Sequence, residues 1–269
     1  MAASTMVTTG RWQRFNNGQR LARFAVYFVM VAAVVASVKT IEIIPEFLLD
    51  APEQMQDLLV RMWPPEFAYY PKGVHEALIE TIHIASLGTL LSVLLALPFG
   101  LLAARNLTPV PALNYFAKLV LVSSRSVNSL VWALLFVGIF GPGALAGTLA
   151  IAFRSIGFVG KLIAEALEEA QRGPLEALTA TGADAGQLLW YGYWPQIKPA
   201  FFSILLLRWD INVRESAVLG LVGAGGIGMA MQSAIDLFQW QRVAVILLAI
   251  FAIVVVAEIV ITSVRKRIL

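Results

Sequence analysis

The chain has 269 residues, of which 59% are hydrophobic and 14% are charged, with 20 basic side chains against 17 acidic ones. Soluble domains carry roughly 45–50% apolar and about 25% charged residues. A water-soluble enzyme is therefore excluded, and a protein with several membrane-spanning helices is predicted. The sequence has no cysteine and two histidines, which excludes disulfide frameworks, thiolate metal sites and cysteine nucleophiles.

Six stretches are long and apolar enough to span a bilayer, which takes about 20 mostly apolar residues. Their approximate ranges are 21–44, 77–103, 113–140, 144–164, 199–222 and 243–264. The first follows an arginine-bearing stretch and lacks a small-residue cleavage site, so we expect it to remain in the mature protein. The third carries a polar interruption at residues 123–126.

Short loops that are rich in lysine and arginine stay in the cytoplasm, so their positions predict how the chain is oriented in the membrane. Basic residues lie around the start of the first span and after the last span: Arg11, Arg14, Arg20, Arg23, Arg265, Lys266 and Arg267. The connections after the second and fourth spans are also basic, whereas the connection after the third has no charge. Both termini are therefore predicted to be cytoplasmic.

The predicted external segment, residues 45–71, is rich in acidic residues and proline. Apolar residues at helical spacing over 55–62 indicate a short helix, which either lies in the outer membrane interface or serves as a docking surface for an external partner. We therefore divide the chain into two parts. Residues 1–75 hold the tail, the first span and this segment, and residues 76–269 hold the transport core.

The connection between the fourth and fifth spans, about residues 165–195, is too polar to span and too long for a simple turn. Proline after Gly173 favours a helix start, and Gly182 favours a helix stop. A second short helix over 183–190 would complete a helix–turn–helix protrusion into the cytoplasm.

This connection resembles the cytoplasmic signature of ABC-importer permeases. In that signature Glu-Ala-Ala is followed by three residues, a glycine, nine residues and Ile-x-Leu-Pro. Four positions match in register: Glu176, Ala177, Gly182 and Pro195. Three positions depart from the pattern, because Leu178 replaces the second alanine, Gly192 the isoleucine and Trp194 the leucine.

Two further stretches narrow the resemblance to phosphonate-type permeases. Residues 212–228 read NVRESAVLGLVGAGGIG, which is similar to the NxR…VLGxVGAGGIG stretch of that subfamily; methionine-type permeases share the GAGGxG part. Residues 125–134 resemble the subfamily's third-span motif, with Val127-Asn128-Ser129 in place of Ile-Pro-Glu. The resemblance covers roughly residues 75–269.

The resemblance implies an all-α integral membrane protein with six transmembrane helices, the type I ABC importer permease fold, in the cytoplasmic (inner) membrane of a bacterium. It implies two permease subunits, which we expect to be identical, two cytoplasmic ATPases, an external solute-binding protein and surrounding membrane lipid, and no nucleic-acid partner. No cofactor is expected in this chain, since ATP and magnesium belong to the ATPases. A coupling helix with Glu176, Ala177, Gly182 and Pro195 would contact them. The substrates would be phosphonate, phosphite or phosphate-like oxyanions.

Charged residues inside the spans are candidates for the substrate path, because intramembrane charge is costly and usually faces a cavity or a partner. Arg125 and Arg154 have no acid nearby on their own helices, so they are predicted to meet an anion. The further candidates are Ser126, Asn128, Arg214 and Glu215. The competing interpretation is structural: Asp210 and Arg214 are spaced to pair on one helix, and Glu215 could pair with an arginine of another helix.

The glycine cluster, which contains Gly223, Gly225, Gly226 and Gly228, allows sharp bends and close packing. It follows a membrane span rather than a strand, so nucleotide binding is not expected. A gate loop beside a cavity and a plain turn between helices are both open interpretations.

Two other functions remain as alternatives, a secondary transporter or channel for a small solute and a methionine-type ABC permease. The first leaves the long cytoplasmic connection unexplained, and no internal repeat of the kind found in many secondary transporters is evident. An intramembrane hydrolase lacks a nucleophile–base pair.

Overall fold

The computed structural model describes residues 15–41 and 45–268, and within those ranges the secondary structure is helical with no strand. Met1–Asp57 and Leu58–Leu269 form two separate compact units. The predicted cytoplasmic arginines Arg11 and Arg14 and the predicted end of the first span, residues 42–44, lie outside the described residues.

The first unit contains the long apolar helix α1 (Asn17–Thr40) and the beginning of α2 (Pro45–Met62). With 24 residues, α1 is about 36 Å long, which exceeds the roughly 30 Å hydrocarbon core of a bilayer. The apolar spacing over residues 55–62 predicted a helix, and α2 contains it and starts ten residues earlier.

The second unit is a bundle of nine helices in its described residues. They are α3 (His75–Ala103), α4 (Pro111–Ser126), α5 (Ser129–Phe140), α6 (Ala144–Glu168), α7 (Arg172–Ala180), α8 (Ala185–Gln187), α9 (Trp194–Leu219), α10 (Ile227–Asp236) and α11 (Trp240–Ile268). The centre of the bundle is the contact of α3 with α6, against which α9 also packs. Small residues allow the close approach of these helices: a Cβ at Gly100 would lie 3.1 Å from the carbonyl oxygen of Gly160.

Among the residues that the structure describes, five helical segments are long and apolar enough to cross a membrane, and a sixth is obtained if α4 and α5 count as one span. These two helices meet at 88°, so the predicted third span is sharply bent. The break falls at Val127 and Asn128, just after the polar stretch that the sequence singled out. Val127 and Asn128 both have extended backbones there, and Oδ1 of Asn128 accepts a hydrogen bond from the amide of Leu130 at 3.1 Å, which caps α5.

The predicted protrusion between the fourth and fifth spans is formed by α7 and α8. Gly182 stops α7 as predicted: its φ is +83°, its amide donates to the carbonyl of Thr179, and the amide of Ala183 donates to the carbonyl of Leu178. These two hydrogen bonds are those of a Schellman motif, whose left-handed residue is usually glycine. Asp184 and Gln187 then form a reciprocal capping box at α8.

Candidate functional site

Helix α9 carries five polar or charged residues within an otherwise apolar stretch: Arg208, Asp210, Asn212, Arg214 and Glu215. Three of them are almost completely buried, and Arg208 is only 3% exposed. Because a buried charge is costly unless it is paired, the partners of these side chains decide what the site can do. The partners fall into two groups on different faces of α9.

The first group centres on Glu215, whose carboxylate bridges two arginines. Its Oε1 forms an ion pair with Nη1 of Arg154 on α6, and its Oε2 lies 3.5 Å from Nη2 of Arg208. The Nε of Arg208 also donates to Oγ of Ser155 at 2.8 Å. The cross-helix pairing of Arg154 with Glu215 is thus one of the two alternatives that the sequence left open.

The same group continues into α3. Ser155 Oγ lies 3.3 Å from Oδ1 of Asn212, and Nδ2 of Asn212 donates to Oγ1 of Thr89 at 2.7 Å. We call Thr89, Arg154, Ser155, Arg208, Asn212 and Glu215 the intramembrane network. It joins α3, α6 and α9 where they pack together. A change in the charge of one member therefore alters hydrogen bonds or ion pairs on all three helices.

The intramembrane network has one surplus positive charge, since two arginines face one glutamate. Arg154 is its most accessible cation, with 29% of its side chain exposed. The buried Nε of Arg154 has no hydrogen-bond partner among the described residues. A partly accessible guanidinium in a network with a surplus positive charge is suited to an oxyanion, because the planar fork of arginine matches phosphoryl oxygens.

The second group on α9 centres on Arg214. Arg214 pairs with Asp210 one turn earlier, as the spacing predicted, and its Nη2 also lies 3.2 Å from Oε2 of Glu258 on α11. Arg265 also acts electrostatically on Asp210, so the two carboxylates of this group face two cations. Arg214, which the sequence placed on the substrate path, therefore binds two acids of its own chain.

The other candidates for the substrate path lie apart from the intramembrane network. Ser126 donates its hydroxyl to the carbonyl of Ser123 at 2.9 Å, and Asn128 caps α5. Arg125 is exposed at the end of α4 and lines a cavity shared with Lys118 and Lys161. Among the sequence candidates for the path, the structure therefore brings together only Arg154 and Glu215.

The glycine loop between α9 and α10 is packed inside the bundle. Three of its glycines have a positive φ: Gly223, Gly225 and Gly226. A Cβ at Gly225 would lie 2.7 Å from the backbone nitrogen of Ala144 on α6. Thr81 of α3 accepts the amide hydrogen of Ile227 at 2.7 Å, and Gly143 donates to the carbonyl of Gly223 at 2.9 Å. The loop is thus held against α3 and the start of α6 by hydrogen bonds, and it leaves no room for a side chain at Gly225 or Gly226.

Three of the four candidates for coupling lie on the protrusion, and the fourth, Pro195, is exposed in the first turn of α9. Glu176, Ala177 and Gly182 are exposed, whereas Leu175 on the opposite face of α7 is buried against the segment that leads into α9. Around Gly182 a Cβ would meet no atom within 4 Å. Helix α7 therefore presents an open face and an open turn to the outside of this chain.

Sequence reasoning missed Thr89, and it missed the cavity that collects Arg125, Lys118 and Lys161. Thr89 lies in an apolar helix where a threonine usually bonds its own backbone, and it does so with the carbonyl of Ala85 at 2.6 Å. Its second contact with Asn212 depends on how α3 and α9 are rotated against each other. The spacing of residues along one helix carries no such signal.

Comparison with known proteins gives one family and several relatives. Residues 96–269 match the family described as "Binding-protein-dependent transport system inner membrane component". The "Phosphite transport system permease protein PtxC" of Stutzerimonas stutzeri is 38% identical over 78% of this chain and 76% of its own length. The "Phosphate-import permease protein PhnE" of Mycolicibacterium smegmatis is 38% identical over 88% of this chain, which spans only 44% of that relative.

Solved structures show a similar fold at low identity. A chain described as "Inward facing conformations of the MetNI methionine ABC transporter" superposes with a TM-score of 0.64 and 18% identity, over 73% of this chain and 96% of the other. At this identity the likeness concerns the fold alone. The predicted all-helical architecture of a type I importer permease is thereby confirmed.

Proposed function

Because the chain belongs to the family of inner membrane components of binding-protein-dependent transport systems, we propose that it is the permease subunit of an ATP-driven importer for phosphorus oxyanions. The match covers more than half of the chain, and the relatives named above are permeases of phosphate and phosphite systems. The substrate class is accordingly phosphonate, phosphite or phosphate.

The observation that carries this proposal is the surplus positive charge of the intramembrane network. An oxyanion that crosses a low-dielectric bilayer needs compensating charge, but a site that held it too tightly would delay its release. Two arginines around one carboxylate meet both demands, because Glu215 neutralises part of the charge that Arg154 and Arg208 offer. The partly exposed guanidinium of Arg154, with 29% of its side chain accessible, is the contact for the passing anion.

The remaining parts of the importer follow from the same proposal. The exposed face of α7, with Glu176 and Ala177, docks into a groove of a cytoplasmic ABC ATPase, and the turn at Gly182 and the start of α9 at Pro195 hold it there. Two copies of this chain, two ATPases and an external solute-binding protein make up the complete importer. ATP and Mg²⁺ are bound and hydrolysed by the ATPases.

The chain is an integral membrane protein, and we place it in the bacterial cytoplasmic membrane with both termini in the cytoplasm. The protrusion of α7 and α8 then lies on the cytoplasmic side, where the ATPases are. The glycine loop lies at the other end of α9, as the loop that lines the external gate.

The test is reconstitution of the chain in liposomes together with the ABC ATPase and the solute-binding protein of its import system. We expect ATP-dependent uptake of radiolabelled phosphite, phosphate or methylphosphonate, and none of methionine. The variant Arg154→Gln should reduce uptake at least tenfold while the complex still assembles. Uptake of methionine would instead assign the chain to the methionine-type permeases, and uptake without an ATPase would make it a secondary transporter or channel.

A further inference from the structure

A cavity of about 370 Å³ lies between the C-terminal half of α4, the end of α3 and the last turns of α6. We call it the basic cavity. Its charged lining consists of Arg105, Lys118, Arg125, Lys161, Glu165 and Glu168. None of these residues belongs to the intramembrane network, so the basic cavity is a separate site.

The charges that line the basic cavity do not cancel. Lys161 is paired with Glu165 at 3.2 Å, and the carboxylate of Glu168 accepts the backbone amide of Arg105 at 2.9 Å. Four cations against two acids leave a surplus of two positive charges. In the described part of the chain, Lys118 and Arg125 have no ion-pair partner. They lie seven residues apart on α4, which places them two turns apart on the same face.

The walls of the basic cavity are apolar. Leu121 and Val122 of α4 and Ala103 of α3 line it between the charged groups. The neighbouring outer surface of α4 carries exposed apolar side chains, among them Tyr115, which is 74% exposed, and Leu119. A ligand that fits such a site has an anionic head and an apolar body, and it arrives from the lipid side of α4.

A second cavity of about 400 Å³ adjoins the first and shares Arg105 and Lys118 with it. Its other lining groups include the hydroxyls of Thr108 and Tyr115 and the amide of Asn114. The amide of Asn114 and the hydroxyl of Thr108 donate to backbone carbonyls of α3. The hydroxyl of Tyr115 and the two shared cations therefore face the glycerol that follows the phosphate of a lipid headgroup.

We propose that the basic cavity binds the phosphate headgroup of an anionic phospholipid from the leaflet nearest to α7, with Lys118 and Arg125 as its principal contacts. Basic pockets between membrane helices recognise anionic headgroups in this way. The apolar walls and the exposed face of α4 distinguish this site from one for a free oxyanion, which has no apolar body to bury. Because α6 runs from this cavity into the segment before α7, the bound lipid holds the base of the protrusion.

The experiment uses the full chain in detergent, stripped of lipid and titrated with phosphatidylglycerol or phosphatidylcholine, with native mass spectrometry counting bound lipids. We expect phosphatidylglycerol to bind at least tenfold more tightly than phosphatidylcholine. The double variant Lys118→Gln, Arg125→Gln should lose about 25-fold in that affinity, which corresponds to about 1 kcal/mol for each cation removed.

The matched control removes one lysine and one arginine from elsewhere on the same unit, through Lys198→Gln and Arg172→Gln. Both side chains are exposed and neither lines the basic cavity, so phosphatidylglycerol affinity should stay within twofold. Equal loss in both double variants, or equal binding of the two lipids, overturns the proposal. A third arm adds methylphosphonate as competitor: displacement of the lipid at millimolar competitor would assign the cavity to the transported anion instead.

Discussion

Gly192 lies against Leu178 across the turn that follows α7, and a Cβ at Gly192 would come within 3.2 Å of Cδ1 of Leu178. The same Cβ would come within 2.7 Å of Cδ2 of Leu175. These contacts join two of the positions where the chain departs from the permease signature that it resembles. A larger residue at 178 is accommodated by a smaller one at 192, so the two departures compensate each other.

This compensation predicts a double-mutant effect. Gly192→Ile should lower the free energy of unfolding by about 1–3 kcal/mol, because it overpacks the space that Leu178 fills. Adding Leu178→Ala should recover part of the loss but not all of it, because the closer contact with Leu175 remains. Thermal unfolding in detergent measures both. Gly173→Ile is the control, since a Cβ at Gly173 meets no atom within 4 Å. Additive losses in the double variant would show that the two positions are independent.

The two arginines on Glu215 differ in burial, and this predicts an asymmetry. Glu215→Gln leaves the buried guanidinium of Arg208 without its carboxylate, which should cost about 3 kcal/mol of stability. Arg154→Gln leaves the pair of Arg208 with Glu215 intact and removes a partly exposed charge, so it should cost about 1 kcal/mol or less. Thermal unfolding of the detergent-solubilised variants makes the comparison.

Substitutions at Arg154 and Glu215 should rank differently by their effect on transport than by their effect on stability. If Arg154 guides the anion, Arg154→Lys keeps the charge but loses the fork, and it should slow uptake several-fold while assembly with the ATPase is unchanged. The exchange variant Arg154→Glu with Glu215→Arg keeps an ion pair between the two positions but inverts it. Normal uptake by this exchange variant would mean that the pair only holds α6 and α9 together.

The orientation can be tested cleanly because the chain contains no cysteine. Single cysteines at Glu53 and Leu237, both exposed, should react with a membrane-impermeant thiol reagent added to whole cells. A cysteine at the exposed Ala180 on α7 should react only after the cells are opened. Labelling of Ala180→Cys in intact cells would place α7 outside and contradict its contact with a cytoplasmic ATPase.

The parts of the structure that the sequence predicted well are those decided within one helix or one turn. The end of α7 at Gly182 depends on a left-handed residue, and the pairing of Asp210 with Arg214 depends on a spacing of one helical turn. Both features can therefore be predicted from the sequence.

The parts that could not be predicted depend on how helices face each other. The sequence allowed Arg154 either to meet an anion or to pair with Glu215, and only the rotation of α6 against α9 decides between a free and a paired guanidinium. The 88° bend between α4 and α5 was marked by polar residues, but its angle is set by Asn128 and by Ser124, whose hydroxyl bonds to the carbonyl of Phe153 on α6.

Substitutions at Gly182 can separate the effect of side-chain size from the effect of backbone strain. Any L-residue at φ +83° pays the left-handed penalty of about 1–2 kcal/mol, and within this chain the space around the residue is open. Gly182→Ala and Gly182→Trp should therefore unfold at similar temperatures, since they share the backbone cost and neither meets a neighbour. They should differ in ATP hydrolysis by the assembled importer if this turn presses against the ATPase. We expect Gly182→Ala to keep most of the substrate-stimulated rate and Gly182→Trp to abolish it, because only tryptophan fills the interface. Equal stimulation in both variants would place the ATPase contact elsewhere on the protrusion.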